Sequence, residues 1–598
     1  MTTRWLRNFG LTLAAITLPL APAFAQDIPP PDDQEEDSSS IVVTGSIAVR
    51  QGGAQNVSHF RSTAANLGMP RPEALSAEGL LGEHDLTLPS ATACAQLFCV
   101  VTESMAAALP MRPADRLFVG LGFTSNVDAA KWHRAPLNLV AVVDKSGSMN
   151  GQPLALVRAS LKQIVNQMRD GDRLSIILYG SDVELHLQPT DYAGHKGALL
   201  HAIDSIASEG STYMEAGLRL GYDTAFADAG AFKGNTRVML FTDEQPNVGN
   251  TDAESFMGMA EAASHKGIGL TTIGVGVQFD DTLATRIASV RGGNMFFVAN
   301  PEEVRSVFAK QLDTMVSELA HDLVLTMKPA PGYRIAGVFG VPDGVMTDAP
   351  EGAVTVTVPT VFVSTNGGGI YATLAKDGDH ADLPAAAIPA GTPLLDVALS
   401  YRGAADGKEG SSQVAVAAPS ASPSVPLREA HMLVDQYTVM REAATAFHAR
   451  NEPKTAFTLL TGLAARLKGA GIPDLASEQK LTGDMLGYAA YYSGYTGELP
   501  KAYRHTAVVG TWKVVSASGL EDVSRGDEIE FTEDQELLTT RHNPRLDDAS
   551  ERYEINEAQI RLVESDTVFR YTTRGDELAM VIDDGDGAAR MTLKRVAD

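Results

Sequence analysis

Short apolar runs alternate with amphipathic segments across the middle of the chain. Leu139–Val143 is an unbroken run rich in valine, and Leu174–Tyr179 is a second, largely apolar run. Between them, apolar residues recur every three or four positions, at Leu154, Val157, Leu161, Ile164 and Met168. The runs are typical of strands buried on both faces, and the recurring positions are typical of an amphipathic helix. This alternation predicts a doubly wound, mostly parallel sheet over residues 136–319.

A period of two replaces this pattern on both sides of the central domain. Within residues 320–425, alternating apolar positions occur at Leu323, Leu325, Met327, Val354, Val356, Val358, Leu395, Val397 and Leu399. Clusters of Pro and Gly separate these segments, which predicts an antiparallel β-sandwich. The segment from Leu117 to Phe123 alternates in the same way. We therefore expect residues 87–135 to contribute a strand to the same sandwich.

Two smaller units are predicted after the sandwich. Apolar residues at helical spacing around Leu433, and again around Leu460, predict a helical hairpin in residues 426–500. Residues 503–598 contain many short β-prone segments separated by turn residues, which predicts a small antiparallel barrel or meander. The chain as a whole is therefore predicted to be a multidomain protein of α/β and β units.

The N-terminal segments are predicted to lie outside these folded units. A positively charged start, an apolar stretch and the small residues of Ala23–Ala25 are typical of a cleaved bacterial signal peptide over residues 1–25. This predicts a periplasmic or secreted protein. Residues 26–86 begin with proline and acidic residues and show no clear period, so we interpret them as a disordered linker. A short β-prone segment interrupts this linker at residues 41–45.

The net negative charge of the chain excludes two classes of partner. Lys and Arg number 48 against 74 Asp and Glu, which gives a formal net charge of -26. Nucleic acids and anionic membrane surfaces both require clustered basic residues, so neither is an expected partner. No stretch of about 20 apolar residues follows the signal peptide, so no transmembrane helix is predicted.

The chain contains two cysteines, Cys94 and Cys99. In an oxidising compartment they are close enough in sequence to bridge, and we favour a local disulfide whose small loop contributes ~2 kcal/mol. Two free thiols or a redox pair are the alternatives. A redox pair usually has the tighter Cys-x-x-Cys spacing. Thiol titration with and without reductant would distinguish the three states.

Polar residues follow the first central strand at regular spacing. Asp144, Ser146 and Ser148 lie two residues apart directly after Leu139–Val143, and Gly147 permits a tight turn between them. Open α/β sheets bind ligands at the C-terminal ends of their strands. One carboxylate and two hydroxyls supply the oxygen ligands that Mg²⁺ prefers. The alternative is that the serines only cap a helix and form a turn.

The Asp-x-Ser-x-Ser pattern resembles the start of the metal-ion-dependent adhesion site of the von Willebrand factor type A domain. Thr212, in Gly-Ser-Thr, matches the threonine of that site, and Asp243, in Met-Leu-Phe-Thr-Asp, matches its second aspartate. The resemblance covers residues 136–319. It implies that Mg²⁺, with Mn²⁺ or Ca²⁺ as alternatives, is held by Asp144, Ser146, Ser148, Thr212 and Asp243. The cation would capture an Asp or Glu carboxylate of a protein partner.

One residue departs from the family pattern. Glu244 stands where the family usually has glycine after the second aspartate. Its carboxylate could alter the choice of cation or occupy the position of the partner's acid.

Other segments resemble further families. Ile41–Gly45 resembles the TonB box of TonB-dependent outer-membrane receptors, and such a segment suits strand addition to a partner's sheet. Gly510–Trp512 with a basic residue near the end, Arg595 or Lys594, is similar to lipocalin-like domains, in which the cation covers the tryptophan ring. The β-rich flanks are similar to those of proteins related to the inter-alpha-trypsin inhibitor heavy chain and calcium-activated chloride channel group. The alternative for Ile41–Gly45 is a plain linker segment. The alternative for Trp512 is an ordinary core residue.

Three functions are compatible with these features. The first is a metal-dependent protein-binding module, for adhesion or scaffolding, in the bacterial periplasm. The second is a carrier or sensor of an apolar ligand through residues 503–598. The third is an accessory protein of TonB-dependent outer-membrane transport, recruited through Ile41–Gly45. Catalysis is not expected, because the His-Glu-x-x-His, Gly-x-x-x-x-Gly-Lys and Gly-x-Ser-x-Gly motifs are absent.

Overall fold

The computed structural model of the chain describes residues 48–493 and 508–596, apart from short internal gaps. The gaps are at 52, 55, 66–67, 91–92, 229, 244–251, 277–289, 343–345, 365, 379–387, 390, 419–421, 521–522, 533–535, 543–547, 556–558, 564, 566, 575 and 584–587. The predicted signal peptide, the Ile41–Gly45 segment and Glu244 lie outside the described residues.

The strands, in chain order, are β1 (Ala48–Gln51), β2 (Gly53–Ala54), β3 (Cys99–Met105), β4 (Leu117–Thr124), β5 (Leu137–Asp144), β6 (Arg173–Tyr179), β7 (Val183–Asp191), β8 (Asn235–Thr242), β9 (Ile268–Val275), β10 (Gly293–Val298), β11 (Glu318–Pro329), β12 (Tyr333–Phe339), β13 (Met346–Asp348), β14 (Val354–Ser364), β15 (Gly369–Lys376), β16 (Pro393–Gly403), β17 (Glu409–Ala417), β18 (Gly510–Ser518), β19 (Glu528–Phe531), β20 (Glu536–Thr540), β21 (Ala549–Ile555), β22 (Gln559–Leu562), β23 (Thr567–Arg574), β24 (Glu577–Asp583) and β25 (Ala588–Arg595). The helices are α1 (Ser58–Ala65), α2 (Ala77–Gly82), α3 (Gln152–Gln167), α4 (Lys196–Asp204), α5 (Met214–Asp228), α6 (Ala253–Ser264), α7 (Pro301–Met315), α8 (Val425–His448), α9 (Pro453–Ala470) and α10 (Ala476–Tyr492).

The central sheet has the strand order β2-β10-β9-β8-β5-β6-β7. Its pairs are parallel except for β6 with β7, which is antiparallel. Leu139, Ala141 and Val143 face one hydrophobic core, and Val140 and Val142 face a second core on the opposite side of the sheet. Burial on both faces explains why β5 reads as an unbroken apolar run. The prediction of a doubly wound, mostly parallel sheet is confirmed.

Two antiparallel sheets form the sandwich beside the central domain. One has the order β1-β14-β11-β16-β17, and the other has the order β12-β15-β4-β3. β4 pairs with β15, so that Leu117 lies opposite Leu374. Apolar side chains from both sheets, including Val119, Leu325 and Leu399, share one core. The predicted sandwich is therefore confirmed, with strands from both sides of the central domain.

The segment preceding the sandwich is folded, so the linker prediction for residues 26–86 is wrong where the structure describes them. α1 and α2 bury Phe60, Leu80 and Leu81 in a core shared with the C-terminal helices. β1 pairs with the sandwich strand β14, and β2 pairs with the central strand β10. The sequence did not reveal this because both helices are short and their apolar partners lie far along the chain.

The helical unit has more elements than the predicted hairpin. α8 packs against α9, and α9 packs against α10. Leu481, Met485 and Ala489 of α10 recur every four residues and are buried in the shared core. No helix among the described residues is long and apolar enough to cross a membrane.

Cys94 and Cys99 form a disulfide, with their Cα atoms 5.7 Å apart. The favoured prediction of a local disulfide is therefore confirmed over free thiols. The bridge joins Cys99, the first residue of β3, to the loop that precedes this strand.

The C-terminal strands β18 to β25 close into an antiparallel barrel, as predicted. Trp512 is fully buried and donates its indole N–H to the carbonyl of Val508 (2.6 Å). The guanidinium carbon of Arg595 lies 4.2 Å from the centroid of the Trp512 ring. Arg595, rather than Lys594, therefore supplies the cation that covers the tryptophan.

Replacing Arg595 with alanine is expected to destabilise the barrel by about 1–2 kcal/mol, because it removes the cation–π contact and a hydrogen bond to the Val509 carbonyl. Urea unfolding of the full chain, followed by near-UV circular dichroism, measures this change. Lys594→Ala is the matched control, since the Lys594 side chain is exposed. Equal losses in the two variants would contradict the assignment of the cation.

Candidate metal centre

The candidate metal centre begins where β5 ends. Asp144 is the last residue of β5, and it is fully buried. The chain then turns through Ser146 and Ser148 towards α3, and Gly151 precedes the helix with a φ of +83°. Glycine suits this position because a Cβ atom strains a positive φ. The turn places both serines beside the end of the strand.

Hydrogen bonds connect the two aspartates through the serines. The Ser146 N–H donates to Oδ1 of Asp144 (2.8 Å), and the Oγ atoms of Ser146 and Ser148 lie 3.0 Å apart. The Ser148 hydroxyl donates to Oδ1 of Asp243 (3.1 Å). Asp243 directly follows β8, and β8 pairs with β5 in parallel. The sheet topology therefore brings both carboxylates to one edge.

Thr212 reaches the same edge on a different loop. It lies shortly before α5 and is fully buried. Two residues earlier, Gly210 accepts a hydrogen bond at its carbonyl from the Gly147 N–H (2.9 Å), which ties this loop to the serine turn. Gly210 has a φ of +86°, and a Cβ atom there would lie 2.5 Å from Oγ of Ser181. The structure thus brings Asp144, Ser146, Ser148 and Asp243 together, and it ties the loop that carries Thr212 to the serine turn.

Burial makes the Asp144 carboxylate costly to ionise. Burial raises the pKa of Asp144, although hydrogen bonds from Ser146 and the Thr242 hydroxyl (3.1 Å) act in the opposite direction. These stabilising contacts come from hydroxyls and an amide rather than from a basic side chain. Tyr179, the last residue of β6, lies opposite Asp144 in the pairing of β5 with β6. Burial together with the Asp144 charge raises the pKa of its phenol well above the ordinary value. A carboxylate in such surroundings gains from a bound cation.

The donor set fits a divalent cation that prefers oxygen ligands. Carboxylate and hydroxyl oxygens suit Mg²⁺, Mn²⁺ and Ca²⁺ better than they suit soft metals. The capping alternative does not account for the serines. Ser146 makes no side-chain cap hydrogen bond at the turn, and the residue that precedes α3 is Gly151.

Three supporting residues were missed by sequence reasoning: Lys145, Tyr179 and Thr242. Nζ of Lys145 lies 2.8 Å from Oδ1 of Asp182, and its side chain is only 7% exposed. The Lys145 N–H donates to the Tyr179 carbonyl (2.8 Å), and the Lys145 carbonyl accepts from the Glu209 N–H. Lys145 therefore joins the end of β6 to the loop that carries Thr212. Its place inside the Asp-x-Ser-x-Ser motif was the only signal in the sequence.

One family of known proteins matches this part of the chain. Residues 138–310 match the von Willebrand factor type A domain family. YfbK of Escherichia coli strain K12 is 34% identical over 199 residues, which cover 33% of this chain and 34% of that protein. Inter-alpha-trypsin inhibitor heavy chain H1 of Mesocricetus auratus is 27% identical over 150 residues, which cover 24% of this chain and 16% of that protein. The chain thus spans about a third of the length of YfbK.

Among solved structures, a von Willebrand factor type A protein from Catenulispora acidiphila is similar with a TM-score of 0.43 and 14% identity, over 66% of this chain and 91% of that chain. The family match at residues 138–310 coincides with the mixed sheet and with the strand-end site. Residues 138–310 are therefore the part of the chain that is similar to von Willebrand factor type A domains.

Proposed function

We propose that the central domain is a metal-dependent protein-binding module that uses Mg²⁺, or alternatively Mn²⁺ or Ca²⁺, to capture a carboxylate of a protein partner. Domains of this family often act as metal-dependent interaction modules. The observation that carries the proposal is the hydrogen-bonded connection from buried Asp144 through Ser146 and Ser148 to Asp243. Together with Thr212, these residues would hold the cation.

The cation would supply a strong positive centre at an otherwise negative edge of the domain. The residues that hold it contribute only two carboxylates, and their other oxygens belong to neutral hydroxyls. A hard cation in such a set gains from one more carboxylate. An Asp or Glu side chain of a partner would provide it.

Calorimetric titration of Mg²⁺, Mn²⁺ and Ca²⁺ into the metal-stripped mature protein tests this function. We expect saturable binding to one site, followed by metal-dependent capture of a partner in a pull-down. The absence of both cation binding and metal-dependent capture would refute the proposal.

The charge of the surface around the site favours one kind of partner. Asp182 and Glu184 have side chains that are 67% and 50% exposed, and Glu209 is also exposed. The nearby base is the buried Lys145, which lies 2.8 Å from Asp182 and 4.0 Å from Glu184. This rim therefore carries a net negative charge. A partner whose carboxylate has Lys or Arg neighbours would approach it with less repulsion.

Neutralising the rim with Glu184→Gln and Glu209→Gln is expected to remove this preference while leaving Mg²⁺ binding intact. The measurement compares the Mg²⁺-dependent affinity of two peptides, in which the same Asp is flanked by Lys or by Ser. The wild type should prefer the Lys-flanked peptide, most strongly at low salt. Asp191→Asn with Glu261→Gln, at exposed positions on the opposite end of the domain, is the control. An unchanged preference in the rim variant would contradict the prediction.

We further propose secretion to the bacterial periplasm through the signal peptide at residues 1–25. TonB is a second candidate partner, through Ile41–Gly45. The supporting observation is that β1 begins at Ala48 and pairs with the sandwich strand β14, so a folded strand starts three residues after this segment. A pull-down with the periplasmic domain of TonB, with Val42→Pro as the control, tests this. No difference between wild type and variant would exclude TonB binding through this segment.

We rank the proposed carrier function of the C-terminal domain below the metal-dependent binding module and below TonB binding. It would require space inside the barrel that Trp512, Tyr553, Phe569, Leu578 and other buried side chains occupy. A lipocalin-like identity for residues 503–598 stays a proposal. Mass spectrometry of extracts from the purified protein would reveal a bound apolar ligand.

A further inference from the structure

A cavity lies at the end of the central sheet opposite the metal centre. It has a volume of about 700 Å³ and lies between the sheet and the sandwich; we call it the junction cleft. Its lining includes Leu97, Trp132, His133, Asn235, Leu319 and Tyr401. Asn235 begins β8, whereas Asp243 follows its end. Since β8 has eight residues at about 3.3 Å each, the cleft and the metal centre are about 26 Å apart along the sheet.

The sandwich wall of the junction cleft is held firmly in place. Leu97 lies in the loop that the Cys94–Cys99 disulfide closes. Gln96 donates its side-chain amide to the Ser411 carbonyl (3.0 Å). Phe98 is fully buried, and its ring centroid lies 5.0 Å from that of Tyr401 in an edge-to-face arrangement. This wall is therefore preorganised rather than formed by a loose loop.

The charged side chains that line the junction cleft are already paired. Arg134 lies 2.7 Å from Asp172, and Arg237 lies 2.7 Å from Glu318. Glu318 also contacts His321 at 2.6 Å. At the rim, Lys408 pairs with Asp406 and Glu409 pairs with Arg402. The rim pairs are exposed and weak, but inside the cleft a charged ligand would have to compete with the partners of the buried Arg134 and Arg237, so the interior offers it little gain in free energy.

The remaining lining is aromatic, aliphatic or neutral and polar. Trp132 and Tyr401 provide rings, and Leu97 and Leu319 provide aliphatic surface. Asn235 adds an amide that can direct a polar group of a ligand. Pockets for small molecules combine such walls with a few polar groups, have volumes of about 300–1,000 Å³ and occur preferentially at domain interfaces.

We propose that the junction cleft binds an uncharged small molecule that carries one or two rings. The rings contact Trp132 and Tyr401, and a neutral polar group meets Asn235. This site is separate from the metal centre and does not depend on the cation. Its ligand enters at the junction of the central domain and the sandwich. None of the five candidate metal ligands lines this cleft.

Fluorescence titration of the full mature protein with N-phenyl-1-naphthylamine, an uncharged probe with rings, tests the proposal. We expect saturable one-to-one binding. Trp132→Ala should weaken it by about tenfold, because an aromatic contact and its buried area are lost. Trp132→Phe, which keeps a ring, should retain most of the affinity. Leu97→Glu should also weaken binding, whereas Met346→Glu, at an exposed apolar position on β13, should not.

Circular dichroism spectra and melting temperatures show which variants keep the fold. If Trp132→Ala is unfolded, the comparison of Leu97→Glu with Met346→Glu decides the outcome. Binding that is absent in the wild type, or unchanged in both cleft variants, would overturn the proposal. The anionic probe 8-anilino-1-naphthalenesulfonate carries similar rings. If it bound the cleft as tightly as the uncharged probe, the neutral class of ligand would be wrong.

Discussion

Asp144→Ala is expected to abolish Mg²⁺ binding and all metal-dependent capture of a partner. Asp144 is the buried carboxylate at the end of β5, and the Ser146 N–H and the Thr242 hydroxyl orient it. Without it, the site keeps one carboxylate and neutral hydroxyls, which cannot compete with water for a divalent cation. Calorimetric titration should show saturable binding in the wild type and none in the variant.

The control for this experiment is Asp170→Ala, which removes an exposed carboxylate from the same domain. It should bind Mg²⁺ as the wild type does. Asp243→Ala should reproduce the loss, because Asp243 is connected to Ser148 at the same site. If Asp144→Ala still bound Mg²⁺ with wild-type affinity, the cation would have to be held elsewhere.

Asp144→Asn separates cation binding from folding. Burial raises the pKa of Asp144, so the ionised carboxylate is a cost to the metal-free fold. Asparagine keeps an oxygen that can accept from the Ser146 N–H and removes this charge. The metal-free variant should therefore be at least as stable as the wild type. Mg²⁺ should not stabilise this variant. At a Mg²⁺ concentration one hundred times Kd, the free energy of unfolding of the wild type should rise by about 2.7 kcal/mol. Melting temperatures with and without Mg²⁺ measure the difference.

Glu478→Ala is expected to destabilise the helical unit by about 3–5 kcal/mol, the usual effect of removing one partner from a buried ion pair. Glu478 is fully buried and lies 2.5 Å from Arg61 and 3.1 Å from His84. Gln436 also donates to its other oxygen (2.8 Å). The variant would leave these groups without their shared acceptor. Urea unfolding followed by far-UV circular dichroism measures the loss.

The matched control on the same helix is Lys480→Ala, which removes an exposed pair with Asp484. Surface pairs of this kind contribute less than about 1 kcal/mol. A similar loss in the two variants would mean that the buried cluster does not anchor residues 58–84 to the helices.

The same cluster predicts a pH dependence. Burial opposes the charge on His84, but hydrogen bonds to Glu429 and Glu478 outweigh it and raise the pKa of His84 from 6.5 to about 9. Burial opposes the charge on Glu478 as well, but His84 and Arg61 lower its pKa from 4.5 to about 2. The His84 contribution is complete below pH 6.5 and is lost as the pH rises through about 9. The Glu478 contribution is present above pH 4.5 and is lost as the pH falls through about 2.

The cluster should therefore stabilise the fold most between pH 4.5 and 6.5. Replacing His84 with glutamine should flatten the alkaline decline in the free energy of unfolding, since the titrating group is gone. Urea unfolding at pH values from 5 to 10 compares the two proteins. An equally steep decline in the variant would assign the alkaline sensitivity to other groups.

Local patterns in the sequence were sufficient to predict the fold of the central domain and to single out five candidate site residues. A strand buried on both faces needs a continuous apolar run, which made β5 and its end at Asp144 visible. The strand-end position and the family spacing then pointed to Ser146, Ser148, Thr212 and Asp243. The sandwich strands were visible for a similar reason, because one buried face gives a strict alternation.

Only the tertiary structure decided what depends on contacts between distant segments. α1 and α2 are too short to show a helical period, and they fold because Phe60 and Leu80 fit a core built by α8 and α10. The charges of Arg61 and Glu478 are typical of surface positions in the sequence, but the fold pairs them and buries Glu478 completely. The junction cleft likewise exists only where the disulfide loop meets the central sheet. Periodicity records which face of one element is buried, whereas the identity of the partner that buries it is a property of the assembled chain.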